Sequence, residues 1–222
     1  MAAPVRTVLF DLDGTLADTL PDLAYALNTT LKAEGLALVP AATLRPWINE
    51  GARAMVDIAV GDARDARTRD RMRHAFLDTY AANLAERTRL FPGIDEVLDT
   101  LDGRGMRWGI VTNKLTAFTQ PLVRALGLAG RAACVVSGDT TPHCKPHPAP
   151  LIHACREAGA TPGECVYFGD AEKDVLAGRR AGMRTLVALY GYIDGGADPG
   201  AWGASGAVDS PAGLLAWLDG NA

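Results

Sequence analysis

The sequence predicts an α/β fold, a doubly wound parallel sheet interrupted by an inserted helical segment, and three observations predict it. After Phe91-Pro92-Gly93, short apolar runs alternate with longer stretches, the pattern of strand and helix in turn. One further apolar run, Thr7–Phe10, stands near the start of the chain. Between that run and the alternating region the apolar residues recur at helical spacing, so the helices there are inserted into the sheet-forming chain rather than appended to it. The division expected is a core domain of residues 1–15 and 90–222 and a helical domain of residues 16–89.

Taken in order, Thr7–Phe10 reads as the first strand. Residues 18–35 read as a helix: Pro21 suits its first turn, Leu20, Leu23, Leu27 and Leu31 form a stripe, and Gly35 can close it. A second stripe, Met72, Phe76, Tyr80 and Leu84, runs through an arginine-dense stretch. Both stripes are read as core faces of amphipathic helices. Four more strands are expected at residues 107–111, 133–136, 165–168 and 185–189. The glycine-rich run 194–200 is expected to be a surface loop.

Composition restricts the function classes. The chain has 222 residues, 48% hydrophobic and 22% charged, which suits a globular protein with a large core in one or two domains. A net charge of −4 offers no basic field for nucleic acid. No apolar run approaches membrane-spanning length, and Met1 to Arg6 lacks the pattern of a signal peptide, so a cytoplasmic location with no membrane partner is expected. Cys134, Cys144, Cys155 and Cys165 include no C-x-x-C pair and read as thiols of a reducing compartment.

The chemistry is concentrated where predicted strands end. Val8-Leu9-Phe10-Asp11-Leu12-Asp13-Gly14-Thr15 places two carboxylates two residues apart, on one face if strand geometry persists. Such a pair calls for a shared proton or a divalent cation, and hard oxygen ligands suit Mg²⁺. Asp11 is the candidate nucleophile and Asp13 the candidate acid/base. Thr112 and Asn113 follow the strand at 107–111, Lys145 lies in Cys144-Lys145-Pro146, and Asp170 and Asp174 follow Val166-Tyr167-Phe168-Gly169. Each has an ordinary reading of its own: a strand-ending turn, a solvated loop lysine, a helix cap. Together they offer a hydroxyl, an amide, a point charge and a cation site to a phosphoryl group in transit, which needs donors and cations on its equatorial oxygens. Asp170 and Asp174, at i and i+4, would share a helix face where like charges repel unless a cation lies between them.

In these segments the chain resembles the haloacid dehalogenase superfamily of phosphatases, whose four motifs they match in order. The resemblance implies a Mg²⁺-dependent phosphomonoester hydrolase that forms an aspartyl-phosphate on Asp11 and hydrolyses it with water. It implies Asp13 on the metal through its backbone carbonyl, and residues 16–89 as a mobile cap over the site. Asp13 argues against dehalogenases, which lack it, and Lys32 on a regular helix argues against phosphonatase chemistry.

Within that insertion, Gly51 breaks a helical pattern beside Arg53. The pair reads either as a helix boundary with a solvated arginine or as a holder of a second anionic or hydroxylated part of the substrate. The resemblance favours the second, because caps of the phosphoglycolate phosphatase group carry a glycine-bearing specificity loop there. The expected partner is therefore a small-molecule phosphate ester. Phosphoglycolate is the first substrate implied. N-acetylmuramic acid 6-phosphate is the alternative, on stretches such as Tyr190-Gly191-Tyr192-Ile193 and Trp202-Gly203-Ala204. A sugar-phosphate mutase or a non-catalytic binding module is the more distant reading.

Overall fold

The computed structural model describes residues 4–61, 64–193 and 195–221. The first strand, β1 (Thr7–Phe10), is buried along its whole length. A short strand β2 (Ala17–Asp18) then leads into α1 (Leu20–Ala33), α2 (Ala41–Leu44), a 3₁₀ turn (Arg45–Glu50), α3 (Gly51–Val60) and α4 (Ala66–Ala82). The chain returns through β3 (Arg89–Leu90) and continues as α5 (Ile94–Gly103), β4 (Arg107–Val111), α6 (Thr116–Ala125), β5 (Val135–Val136) and α7 (Ala149–Glu157). It ends with β6 (Cys165–Gly169), α8 (Glu172–Ala181), β7 (Arg184–Ala188), β8 (Gly206–Val208) and α9 (Ala212–Asp219). No helix among the described residues is long and apolar enough to cross a membrane.

Six strands form one parallel sheet in the order β5-β4-β1-β6-β7-β8. β1 is paired on both sides, Val8 lying opposite Trp108 of β4 and Val166 of β6. A strand buried on both faces needs apolar residues at every position rather than at alternate ones, which is why it reads as a continuous run. Val8 and Phe10 enter one core layer with Val97, Leu101 and Leu214. Leu9 enters the other, with Leu151, Cys155 and Ala177. Phe10 meets Trp108 and Phe168 edge to face at 6.4 and 5.9 Å, fixing the middle of the sheet. The chain reaches β4 on one side of β1 and β6 on the other, so the carboxyl end of β1 opens into a crevice at a topological switch point.

The inserted helices begin and end side by side. Ala17 pairs with Leu90 and Asp18 with Arg89 in a two-stranded antiparallel ribbon. Asp22, fully buried on α1, accepts hydrogen bonds from Arg87 N, Thr88 N and Thr88 Oγ1, tying the start of the insertion to its end. Leu23, Leu27 and Leu31 of α1 and Met72, Phe76 and Tyr80 of α4 are all buried, and the two helices pack together. Gly35, at φ +67°, follows α1 as a residue tolerant of that conformation must.

Several elements differ from expectation. β5 spans two residues rather than four, and β7 starts one residue earlier and stops at Ala188. β8 carries a glycine and only three residues, too few for a periodic signal. Leu84, the last member of the second stripe, lies beyond α4 although it is buried. Asp194, in the expected surface loop, lies outside the described residues, as do Met1 to Ala3 at the start of the expected core domain.

Candidate active site

Asp11 follows β1 directly, its backbone N–H donating to Phe168 O, so the central strand delivers its carboxylate to the crevice. Lys145 Nζ stands 2.9 Å from Asp11 Oδ1 and 2.7 Å from Asp174 Oδ1. It also lies 2.6 Å from the Tyr167 hydroxyl and donates to Val111 O at 3.1 Å. Burial alone would depress this ammonium, but the two aspartates push it up to about 12, so it stays charged. Burial pushes the Asp11 carboxyl up to about 6 against the pull of Lys145, with Asp174 adding to the rise. Burial and then the charges of Asp11 and Asp174 push Asp170 up to about 7.

Asp170 is held by three donors from three segments: Thr15 Oγ1 at 3.0 Å, Tyr192 N at 2.7 Å and Asn49 Nδ2 at 3.1 Å. Two glycines permit this approach. A Cβ on Gly14, at φ +82°, would lie 2.2 Å from Asp170 Oδ2, and one on Gly191 would lie 2.3 Å from Asp170 Cβ. Asp170 and Asp174 do not share a helix face as the spacing suggested. Helix α8 starts at Glu172, so Asp170 belongs to the preceding turn, while Asp174 sits in the first helical turn and accepts from Ala171 N at 3.0 Å.

Asp11, Asp170 and Asp174 each offer an oxygen within 4.8 Å of the others, and all three are buried. Three buried carboxylates converge here while Lys145 pairs with only two of them, and burial first, then their mutual repulsion, raises the carboxyls of Asp11 and Asp170. One divalent cation with oxygen ligands fits this donor set.

Asp13 has a different partner. Its Oδ1 accepts from Lys114 Nζ at 2.8 Å and from Thr19 Oγ1 at 2.6 Å. The two carboxylates of the Asp11-Leu12-Asp13 stretch are thus each matched to a separate lysine. Burial would depress the Lys114 ammonium, but Asp13 and then Tyr80 raise it overall. Thr112 Oγ1 accepts from Lys114 N at 3.2 Å, leaving the hydroxyl proton for an acceptor in the cavity. Asn113, a candidate phosphate donor, stands beside Thr112. Its side chain bonds the Lys145 backbone twice, Nδ2 to O and Oδ1 from N, both at 2.9 Å, and so fixes the loop that aims Lys145.

A cavity of about 890 Å³ joins these groups to the inserted helices. Asp11, Asp13, Thr112, Lys114 and Lys145 line one side, and Gly51, Arg53, Arg69, Arg73 and Tyr80 the other. Gly51 takes φ +84° between the 3₁₀ turn and α3, with open space around its Cα, so the expected break in the helix is real. Sequence reasoning passed over Lys114, Asn49, Thr15 and Tyr167. Lys114 had a signal, since it continues the Thr112-Asn113 segment. Asn49 had none that points at Asp170, which is far away in the chain.

This chain belongs to the haloacid dehalogenase-like hydrolases, whose family model matches residues 8–188. Among its relatives is the phosphoglycolate phosphatase of Xanthomonas campestris pv. campestris, 42% identical over 93% of each chain. The N-acetylmuramic acid 6-phosphate phosphatase of Pseudomonas aeruginosa is 39% identical over 97% of this chain and 95% of its own. A crystal structure of a predicted phosphoglycolate phosphatase from Haemophilus somnus 129pt superposes with a TM-score of 0.87 at 30% identity, covering 96% of this chain and 97% of that one.

Proposed function

We propose that this protein is a Mg²⁺-dependent phosphoric monoester hydrolase that works through an aspartyl-phosphate on Asp11. The observation that carries the reading is the convergence of Asp11, Lys145, Asp170 and Asp174 at the carboxyl end of the central strand. Asp11 attacks phosphorus, Asp13 gives a proton to the leaving oxygen and then takes one from the water that cleaves the intermediate. Lys145 and the Thr112 hydroxyl neutralise and orient the equatorial oxygens. Asp11, Asp170 and Asp174, with the Asp13 carbonyl, hold the cation. Bound there, it supplies Lewis-acid charge for the phosphoryl oxygens and screens the nucleophile from an incoming dianion.

Residues 16–89 act as the cap, closing the cavity against water and reading the ester beyond its phosphate through Gly51 and Arg53. The substrate is a carboxylated phosphate monoester, and phosphoglycolate stands first because it is named for several relatives. A second reading, N-acetylmuramic acid 6-phosphate, is favoured by the cavity: about 890 Å³ is the scale of a drug-sized ligand and far exceeds a two-carbon acid. The deciding measurement is hydrolysis of both esters, with and without Mg²⁺. A preference of roughly tenfold or more in kcat/KM, about 1.4 kcal/mol, selects the substrate. Full activity in EDTA would end the metal-dependent reading, and equally poor rates on both esters would end the substrate reading.

A further inference from the structure

The carboxylate of Asp170 is anchored from the inserted helices as well as from the sheet. Asn49, in the 3₁₀ turn before α3, donates Nδ2 to Asp170 Oδ2 at 3.1 Å and reaches Tyr192 O at 3.4 Å. The turn is itself latched to the sheet domain. Lys173 Nζ donates to Asn49 O and stands 3.6 Å from Glu50 Oε1, while Arg45 Nη2 donates to Tyr190 O at 2.9 Å and to Gly191 O at 2.7 Å. Arg45 also lies 5.1 Å from the Tyr192 ring centre. A carboxylate has about four acceptor sites. Thr15, Tyr192 and Asn49 occupy three of those on Asp170, which fixes its plane and leaves one for a cation.

From this geometry we infer that Asn49 is a positioning residue through which cation binding at Asp170 is coupled to the seating of the inserted helices; the inference rests on the metal reading above. The bond exists only while the 3₁₀ turn is docked. Docking therefore raises cation affinity, and by reciprocity the cation favours docking by the same factor. Partners that orient a ligating carboxylate are worth roughly 10- to 100-fold in metal affinity.

The test uses the whole chain without substrate. Mg²⁺ is titrated calorimetrically into wild type and Asn49→Ala, and hydrogen exchange is followed over residues 45–60 with and without Mg²⁺. The variant should bind Mg²⁺ at least roughly tenfold more weakly, and Mg²⁺ should slow exchange in this segment of wild type but not of the variant. Equal affinity and equal protection in the two proteins would overturn the inference while leaving the metal site standing. Failure of wild type to bind Mg²⁺ would overturn both. If Asn49→Ala does not fold, Lys173→Met carries the test, since it frees the Asn49 backbone and leaves its amide. It should weaken Mg²⁺ binding and raise exchange over residues 45–60, and wild-type behaviour on both counts would refute the coupling.

Discussion

Lys114 and Asp13 form an ion pair of 2.8 Å at the floor of the cavity, with both side chains largely withdrawn from solvent. Removing one partner of such a pair strands the other, which costs more than the pair itself contributes. Lys114→Met should therefore lower stability by on the order of 3 kcal/mol, read from denaturant unfolding. A loss below about 0.5 kcal/mol would mean that Asp13 is solvated well enough to need no countercharge.

Asp11→Asn keeps the shape of the side chain and removes its nucleophilicity. Turnover should fall by more than ~10³-fold with the fold intact by circular dichroism. A variant that keeps a tenth of wild-type activity would refute the assignment of Asp11 as nucleophile.

How much of this was visible in the sequence can be judged residue by residue. Asp11, Thr112, Lys145 and Asp170 could be found because each lies just past an apolar run or beside a proline or glycine, and parallel strand ends meet at one edge of the sheet. The arrangement of Asp174 against Asp170 was not legible, because the start of α8 decides it and helix starts are weakly encoded. Asn49 reaches Asp170 across 121 positions of chain, a distance over which local pattern carries no information. β2 and β3 are two residues each and exist only through mutual pairing.

Acid should stabilise the protein once a chelator has stripped it. Burial lifts the Asp11 and Asp170 carboxyls from the ordinary value of 3.8 to about 6 and about 7. Between roughly pH 4 and 7 the folded state then binds more protons than the unfolded chain, so stability falls as pH rises through that window. Melting temperatures in EDTA should be higher at pH 5 than at pH 7.5. Saturating Mg²⁺ should reverse the trend and release protons near pH 6.5. A flat profile in EDTA would contradict the raised carboxyls that burial, and then their neighbouring charges, produce here.

The buried Tyr80 hydroxyl on α4 makes no well-formed hydrogen bond among the described residues, its polar neighbour being the Lys114 ammonium. Leaving such a group unsatisfied costs about 1–3 kcal/mol. Tyr80→Phe should accordingly match or exceed wild type in thermal stability, despite losing a polar atom beside Lys114. A drop in melting temperature of several degrees would reveal a partner for the hydroxyl in solution.

Arg53→Ala tests what the inserted helices recognise. It should reduce kcat/KM for the preferred carboxylated ester by roughly 1–3 kcal/mol, the range for a charged hydrogen bond. Hydrolysis of p-nitrophenyl phosphate should change much less. Equal losses on both would reassign Arg53 from the leaving group to the phosphate or to the fold.

The ribbon formed by β2 and β3 has a consequence for how such a protein can diversify. Ala17 faces Leu90 and Asp18 faces Arg89, so the insertion departs from the sheet and returns to it through one narrow doorway. A segment whose two ends are already adjacent can grow, shrink or be replaced with little change in the span its anchors must bridge. Much of what lies behind the doorway is free to vary, Asn49 on Asp170 and Thr19 on Asp13 being exceptions, and the strand that aims Asp11 lies outside it. A lineage can therefore try new leaving groups by rewriting one contiguous stretch of its gene, while the residues that handle phosphorus stay untouched.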